Sequence, residues 1–277
     1  MFPSAVRLSQ SLYSRGPRET VEDIFFHLCC TSRLSNPSSI ALYDRCSQPY
    51  FKWRFSNRVP TEAPLNPIKI VPVDPDQITE FSRRRFPNSD NMRRDMGTIK
   101  AGDWDIRDTV PTDRFGHRRE YFDNFGQFDD SLFYQSLEQH FNDDVPWLET
   151  KYIQTFLKYE DMTQRETLLK YRSVDDLYHR IKTDGYNRQR EIHPNRCWVQ
   201  RFTDEVSIDI GRDGELLFVD GKHRLATAKI LDLDWVPVGI IVRHKDWLER
   251  RDERARSASE PAHPDLVECT NGEYWMP

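Results

Sequence analysis

The stretch from Leu216 to Leu231 constrains this chain most. Leu216 to Val219 is an apolar run of strand length, and Asp220 and Gly221 break it. Leu225, Ala228 and Leu231 then recur at helical spacing, with Ala226 and Ile230 widening the apolar face. The pattern predicts a short buried strand, a tight turn and a helix. Asp220 is expected to cap that helix, because a carboxylate accepts amide bonds that the first turn cannot use itself. Free amides, the positive end of a helix dipole and the basic side chains of Lys222, His223 and Arg224 would meet at this turn. That combination suits an anion, and phosphate is the usual one.

The flanks extend the unit. Val206 to Ile210 alternates as a strand, and Asp213-Gly214 supplies a hairpin turn before Leu216. Asp232-Leu233-Asp234 ends the helix, and Val236 to Val242 reads as a further strand. In this setting, Asp220-Gly221-Lys222-His223-Arg224 resembles the core motif of the ParB/sulfiredoxin superfamily. Two more blocks are similar to that family's entry elements. One is Ile68 to Ile78, like its first strand; the other is Ser173 to Tyr186, like its helix-then-glycine segment. The three blocks together cover under a third of the chain.

The resemblance implies an α+β fold, a small mixed sheet flanked by helices. Residues 68–247 would form that domain, with a long insertion over 80–165, an N-terminal arm over 1–67 and a charged tail over 248–277. It also narrows the chemistry. Sulfiredoxins carry a reactive cysteine just before the His-Arg pair, where this chain has Lys222, so sulfinic-acid repair is not expected. ParB partitioning proteins append a DNA-binding helix-turn-helix, for which the short, charged stretch after the last core strand leaves no room. The motif is most similar to that of ParB-like free-serine kinases, in which the His-Arg turn grips nucleotide phosphates and a Glu after the first strand serves as base. That Glu falls at about Gln77, so Asp76 is the candidate base, with Asp74 and Glu191 in reserve.

The resemblance therefore implies a nucleotide-binding protein and, by its kinase-like motif, a phosphotransferase using ATP, ADP or another nucleotide with Mg²⁺ on a small hydroxylated molecule. Gly221, Lys222, His223 and Arg224 would hold phosphates, and Asp220 would cap the helix or meet the metal. Arg243 and His244, at the end of the last strand, are placed in the same cleft. The alternative is a nucleotide-binding or DNA-associated module without turnover.

Composition trims the alternatives. The 277 residues carry a net charge of −5, which gives no support to a broad nucleic-acid surface. No apolar run is long enough to span a membrane, and no leader pattern opens the chain. The five cysteines form no regular framework, so a reducing cytoplasm is expected.

Other features have plain readings. Glu19 to Cys30 predicts a short helix capped by Thr20, with Cys29 and Cys30 as partly buried thiols. Residues 31–67 read as an arm packed on the core, with Phe51-Lys52-Trp53-Arg54 as its aromatic part. The basic run over 79–95 reads as a solvated face. Asp103 and Asp105 flank Trp104 and would hold a metal or an amine, or simply make a turn. Helices are expected over 129–142, after Glu149, and over 163–183, ending at Asp184-Gly185. His140 reads as a packed histidine and His193-x-x-x-Cys197 as an incomplete zinc pattern. Residues 107–125 show no period, and the segment after Trp247 reads as a frayed helix and tail.

Overall fold

The computed structural model describes residues 17–32, 35–56, 65–66, 68–84, 89–106, 126–159, 161–257 and 263–266. The stretch 107–125 and the N-terminal residues 1–16 lie outside them, as do the side chains of 52–54. The chain divides into two compact units. One combines residues 1–60 with 189–202, and the other holds 61–188 and 203–276.

The larger unit is α+β and contains a six-stranded mixed sheet. Its strands are β1 (Ile70–Val73), β2 (Glu80–Phe81), β3 (Thr98–Lys100), β4 (Val206–Ile210), β5 (Leu216–Asp220) and β6 (Val236–His244). They lie in the order β1-β6-β4-β5-β2, and β3 also pairs with β6. Every residue of β4 and β6 is buried; β6 reads as a nearly continuous apolar run from Val236 to Val242, whereas β4 alternates and its polar residues Ser207 and Asp209 are buried too. Register fixes two ends of the sheet. At one end Val73 pairs with Val236, Val206 with Val238 and Ser207 with Asp220. At the other, Ile210 pairs with Arg243 and with Leu216, and Lys100 pairs with His244.

The helices of both units, in chain order, are α1 (Pro17–Phe26), α2 (Pro37–Ser56), α3 (Ser89–Asp95), α4 (Leu132–Asn142), α5 (Lys151–Tyr159), α6 (Gln164–Asp184), α7 (Gln189–Ile192), α8 (Trp198–Thr203), α9 (Lys222–Ile230) and α10 (Lys245–Arg256). The predicted helix over 163–183 is one piece. It is opened by a capping box in which Thr163 and Glu166 exchange bonds, and closed by Gly185 at φ 78°. His140 is packed as expected: it stacks on Trp147 at 3.9 Å, and its ring nitrogens meet the Val145 carbonyl at 2.6 Å and Asp175 at 3.2 Å.

Several expectations change. The basic run over 79–95 is not simply a solvated face. Arg84 is buried and donates to Asp209 through Nε at 2.6 Å and Nη2 at 2.9 Å, and through Nη1 to Asp95 at 2.6 Å. Asp209, in the middle of β4, also accepts from Ser82 Oγ and from the Val242 amide at 3.1 Å. Asp105 does hold a cation, but it is the chain's own Arg212, from Nε at 2.9 Å and Nη2 at 2.7 Å; Asp103 joins at 3.1 Å. The tail is not uniformly frayed, because Asp265 is fully buried under α10 and β6.

In the smaller unit, the stretch read as an arm contains a helix, since α2 runs through it for 20 residues. Its start signal is Asn36-Pro37, with Asn36 Oδ1 accepting from the Ser38 and Ser39 amides at 3.0 and 3.1 Å. Thr20 is not a cap; it lies inside α1, buried. A π-helical turn, His27–Thr31, follows α1 and carries Cys29 and Cys30, both buried. Phe51 packs with the 189–202 segment, meeting Trp198 edge-on at 5.2 Å, and Trp198 Nε1 donates to Ser47 at 2.8 Å.

Candidate functional site: the turn between β5 and α9

The strand, turn and helix fall where the sequence puts them, with one change of role. Gly221, not Asp220, is the N-cap of α9, with φ 91° and no side-chain cap. A Cβ at Gly221 would come within 3.0 Å of Val206 Cα and 3.4 Å of the Glu205 carbonyl. The left-handed conformation and the close backbone approach both require glycine. Asp220 turns instead to its neighbour and accepts from the Gly221 amide at 2.7 Å. Burial raises its pKa, against the opposing pull of the Gly221 amide, Arg224 and Lys222. The Gly221 carbonyl accepts from Arg224 and Leu225, both at 3.0 Å, closing the first turn of α9. Amides at the very start of a helix have no partner within it, so those of Lys222 and His223 supply the donor end of the dipole.

The side chains of the turn differ sharply from one another. His223 packs edge-on against Phe133 of α4, with ring centroids 5.1 Å apart. Burial first, and then the charges of Lys222, Lys170 and Arg224, push its pKa down to about 3. His223 is therefore neutral at physiological pH and brings a hydrogen bond to this site, not a charge. Lys222 lies against the same aromatic wall. Its Nζ sits 4.3 Å from the Phe133 centroid and 5.2 Å from that of Tyr152, and it donates to the Tyr152 hydroxyl at 3.0 Å. Arg224 differs again: its Nη1 is buried and makes no hydrogen bond. Nearby, the buried Tyr186 hydroxyl lies within electrostatic reach of Glu205 and Arg224 without a well-formed hydrogen bond to either. Burial, reinforced by Glu205, raises the Tyr186 pKa, while Arg224 opposes.

Asp220, Gly221, Lys222, His223 and Arg224 are thus brought together. Asp76, Arg243 and His244 are not brought to this turn. Asp76 lies at the same end of the sheet, just after β1, but faces the far end of α9. It pairs with Lys229 at 3.5 Å and is 71% exposed. Lys229 is two helical turns beyond Lys222, about 10 Å along the axis. Glu191 belongs to the smaller unit. Arg243 and His244 sit at the opposite end of β6. From Val238 to Arg243 the strand advances about 16 Å, so these two cannot line a cleft at Gly221. Their side chains are committed elsewhere. Arg243 is fully buried against Asp265. His244 Nε2 meets the Gly102 carbonyl at 2.7 Å, and its Nδ1 caps α10 by accepting from Asp246 N at 3.1 Å.

Phe133, Tyr152, Tyr186 and Glu205 were not candidates from sequence. Tyr186 had one signal, its place just after the Gly185 stop. The others come from elements whose packing on α9 has no local trace. Among the described residues no group of three or more His, Cys, Asp or Glu side chains could hold a metal ion. No helix among them is long and apolar enough to cross a membrane. Compared with family models, curated proteins and solved structures, the chain matches none of them.

Proposed function

We propose that the protein binds a nucleotide, or another phosphate-bearing small molecule, through the turn from Gly221 to Arg224. The observation that carries this reading is the buried Nη1 of Arg224, a residue of the first turn of α9, which is a guanidinium donor without a hydrogen-bond partner. A buried donor without a partner costs about 1–3 kcal/mol, and a phosphate oxygen would satisfy it with a charge-assisted bond. The neutral His223 adds a donor or an acceptor, and the Lys222 ammonium keeps two protons beyond the one given to Tyr152. The ParB/sulfiredoxin-like motif points the same way.

Binding is the primary reading, and phosphoryl transfer to a small hydroxylated molecule is its extension. Asp76 faces Lys229, so the base in such a reaction would be Asp220, the carboxylate within the turn itself. The test is a thermal-shift and equilibrium-dialysis series with ATP, ADP, CTP, GTP and inorganic pyrophosphate, with and without Mg²⁺. Binding to the native chain should raise Tm and be lost in Arg224→Ala. The reading fails if none of these ligands shifts the native protein, or if Arg224→Ala binds as well as the native chain.

A further inference from the structure

Cys30 and Cys197 are far apart in sequence but meet within the smaller unit. Cys30 sits on the π-helical turn, closed by the Ser32 amide bonding to the His27 carbonyl at 2.8 Å. Such turns are frequent at functional sites. Cys197 immediately precedes α8. One carboxamide ties the two cysteines together: Gln200 Oε1 accepts from the Cys197 amide at 3.2 Å, and its Nε2 donates to the Cys30 carbonyl at 3.4 Å. The two thiols are close enough for their charges to influence each other. Both are free thiols, 8% and 0% exposed.

We propose that Cys30 and Cys197 are a reversible oxidation site, a dithiol that hydrogen peroxide closes to a disulfide. The environment divides the roles. The neighbouring Cys30 thiol, helped by the Gln200 and Val199 amides and against the cost of burial, lowers the Cys197 pKa. The Cys197 thiol, with burial, raises that of Cys30. Cys197 is therefore the nucleophile and Cys30 the resolving thiol. The Cys197 thiolate attacks one peroxide oxygen and the O–O bond breaks. The departing hydroxide takes a proton and leaves as water, and Cys197 becomes a sulfenic acid. The Cys30 sulfur then attacks the Cys197 sulfur, the S–O bond breaks, and the hydroxyl leaves as water with the proton lost from Cys30. Two thiols are oxidised by two electrons, and one peroxide is reduced to two waters. Burial selects for this small oxidant over bulky disulfides, which meet the exposed Cys46 first. Local opening of the unit sets the rate.

The native full-length protein, treated with a small excess of hydrogen peroxide, is alkylated, digested without reduction and mapped by mass spectrometry. A Cys30–Cys197 cross-linked peptide is expected, two hydrogens lighter than the dithiol pair, lost with dithiothreitol and retained in Cys46→Ser. In Cys30→Ser, Cys197 should accumulate as a sulfenic acid that dimedone traps. A disulfide that uses Cys29, Cys46 or Cys269 in place of either residue would overturn the proposal. So would oxidation confined to Cys46, or sulfinic acid at Cys197 of the native chain without the cross-link.

Discussion

Arg243 donates to Asp265 from Nη2 at 2.7 Å and from Nε at 3.1 Å, with both side chains about 1% exposed. The same carboxylate accepts from Trp247 Nε1 at 3.1 Å and pairs with Arg251 Nε at 3.2 Å. Burial works to raise the Asp265 pKa, but Arg243, Arg251 and Trp247 outweigh it and hold it well below the usual carboxylate range. The Asp265 main chain is tied in as well, since its carbonyl accepts from Lys69 Nζ at 2.9 Å. This short segment therefore anchors the C-terminal side of the sheet. Asp265→Ala leaves two buried guanidinium groups without their carboxylate and should cost about 3–5 kcal/mol of stability, read by urea denaturation. Ligand affinity at the Gly221 turn, at the other end of the sheet, should not change in the folded variant.

Gly221→Ala tests the turn itself. The left-handed conformation costs an L-residue about 1–2 kcal/mol, and the new Cβ would also press on Val206 Cα at 3.0 Å. That neighbour is backbone inside a paired strand and cannot swing aside. Phosphate binding should fall along with stability, because relief of the clash must move the first amides of α9. Titration of a folded sample with ATP or pyrophosphate below Tm separates the two effects.

His223 should make the fold sensitive to acid. Its folded pKa is depressed from 6.5 to about 3, so it is neutral in the native state, while the unfolded chain takes up a proton below pH 6.5. The contribution is fully present above the unfolded value and is lost as pH falls from 6.5 toward 3. The slope approaches about 1.4 kcal/mol per pH unit. His263, also depressed by burial, acts in the same direction. The readout is therefore the difference between native protein and His223→Gln across pH 4 to 7: the variant should lose part of the slope.

Asp76→Asn separates binding from transfer. Its carboxylate lies against Lys229, at the end of α9 remote from the turn. Nucleotide affinity should be unchanged, and any phosphoryl transfer measured with the native chain should survive. Abolished transfer with intact binding would restore Asp76 as the base.

Local features of this chain are legible in its sequence, and long-range ones are not. Leu216 to Ile230 could be read as strand, turn and helix because every signal lies within a few residues. Arg243 was legible as a strand end, but not as the wrong end. That depends on β6 running parallel to β4 and antiparallel to β1, a register that no local pattern encodes. The Ser- and Asn-rich composition around α2 hid a helix, although Asn36-Pro37 announced its start. Arg84 looked solvated because its partner Asp209 comes from a distant strand. Tyr186 and Glu205 join the site for the same reason, through packing of segments on either side of the smaller unit's insertion.

The Arg84–Asp209 pair gives the last prediction. Asp209 is fully buried in the central part of the sheet and is satisfied from three sides, by Arg84, Ser82 and the Val242 amide. Burial opposes the charge of Arg84, but Asp209 and Asp95 outweigh it and raise the guanidinium pKa. Arg84→Met removes the cation and strands the carboxylate, which should cost about 3–5 kcal/mol. Asp209→Leu strands the cation instead and leaves the Val242 amide without its acceptor. In the double variant neither charge remains buried without its partner, so the total should be well below the sum of the single costs. A coupling of about 1–3 kcal/mol in a double-mutant cycle, measured by urea denaturation, is the expected result. Additive costs would mean that Asp95 and Ser82 can hold the two side chains independently.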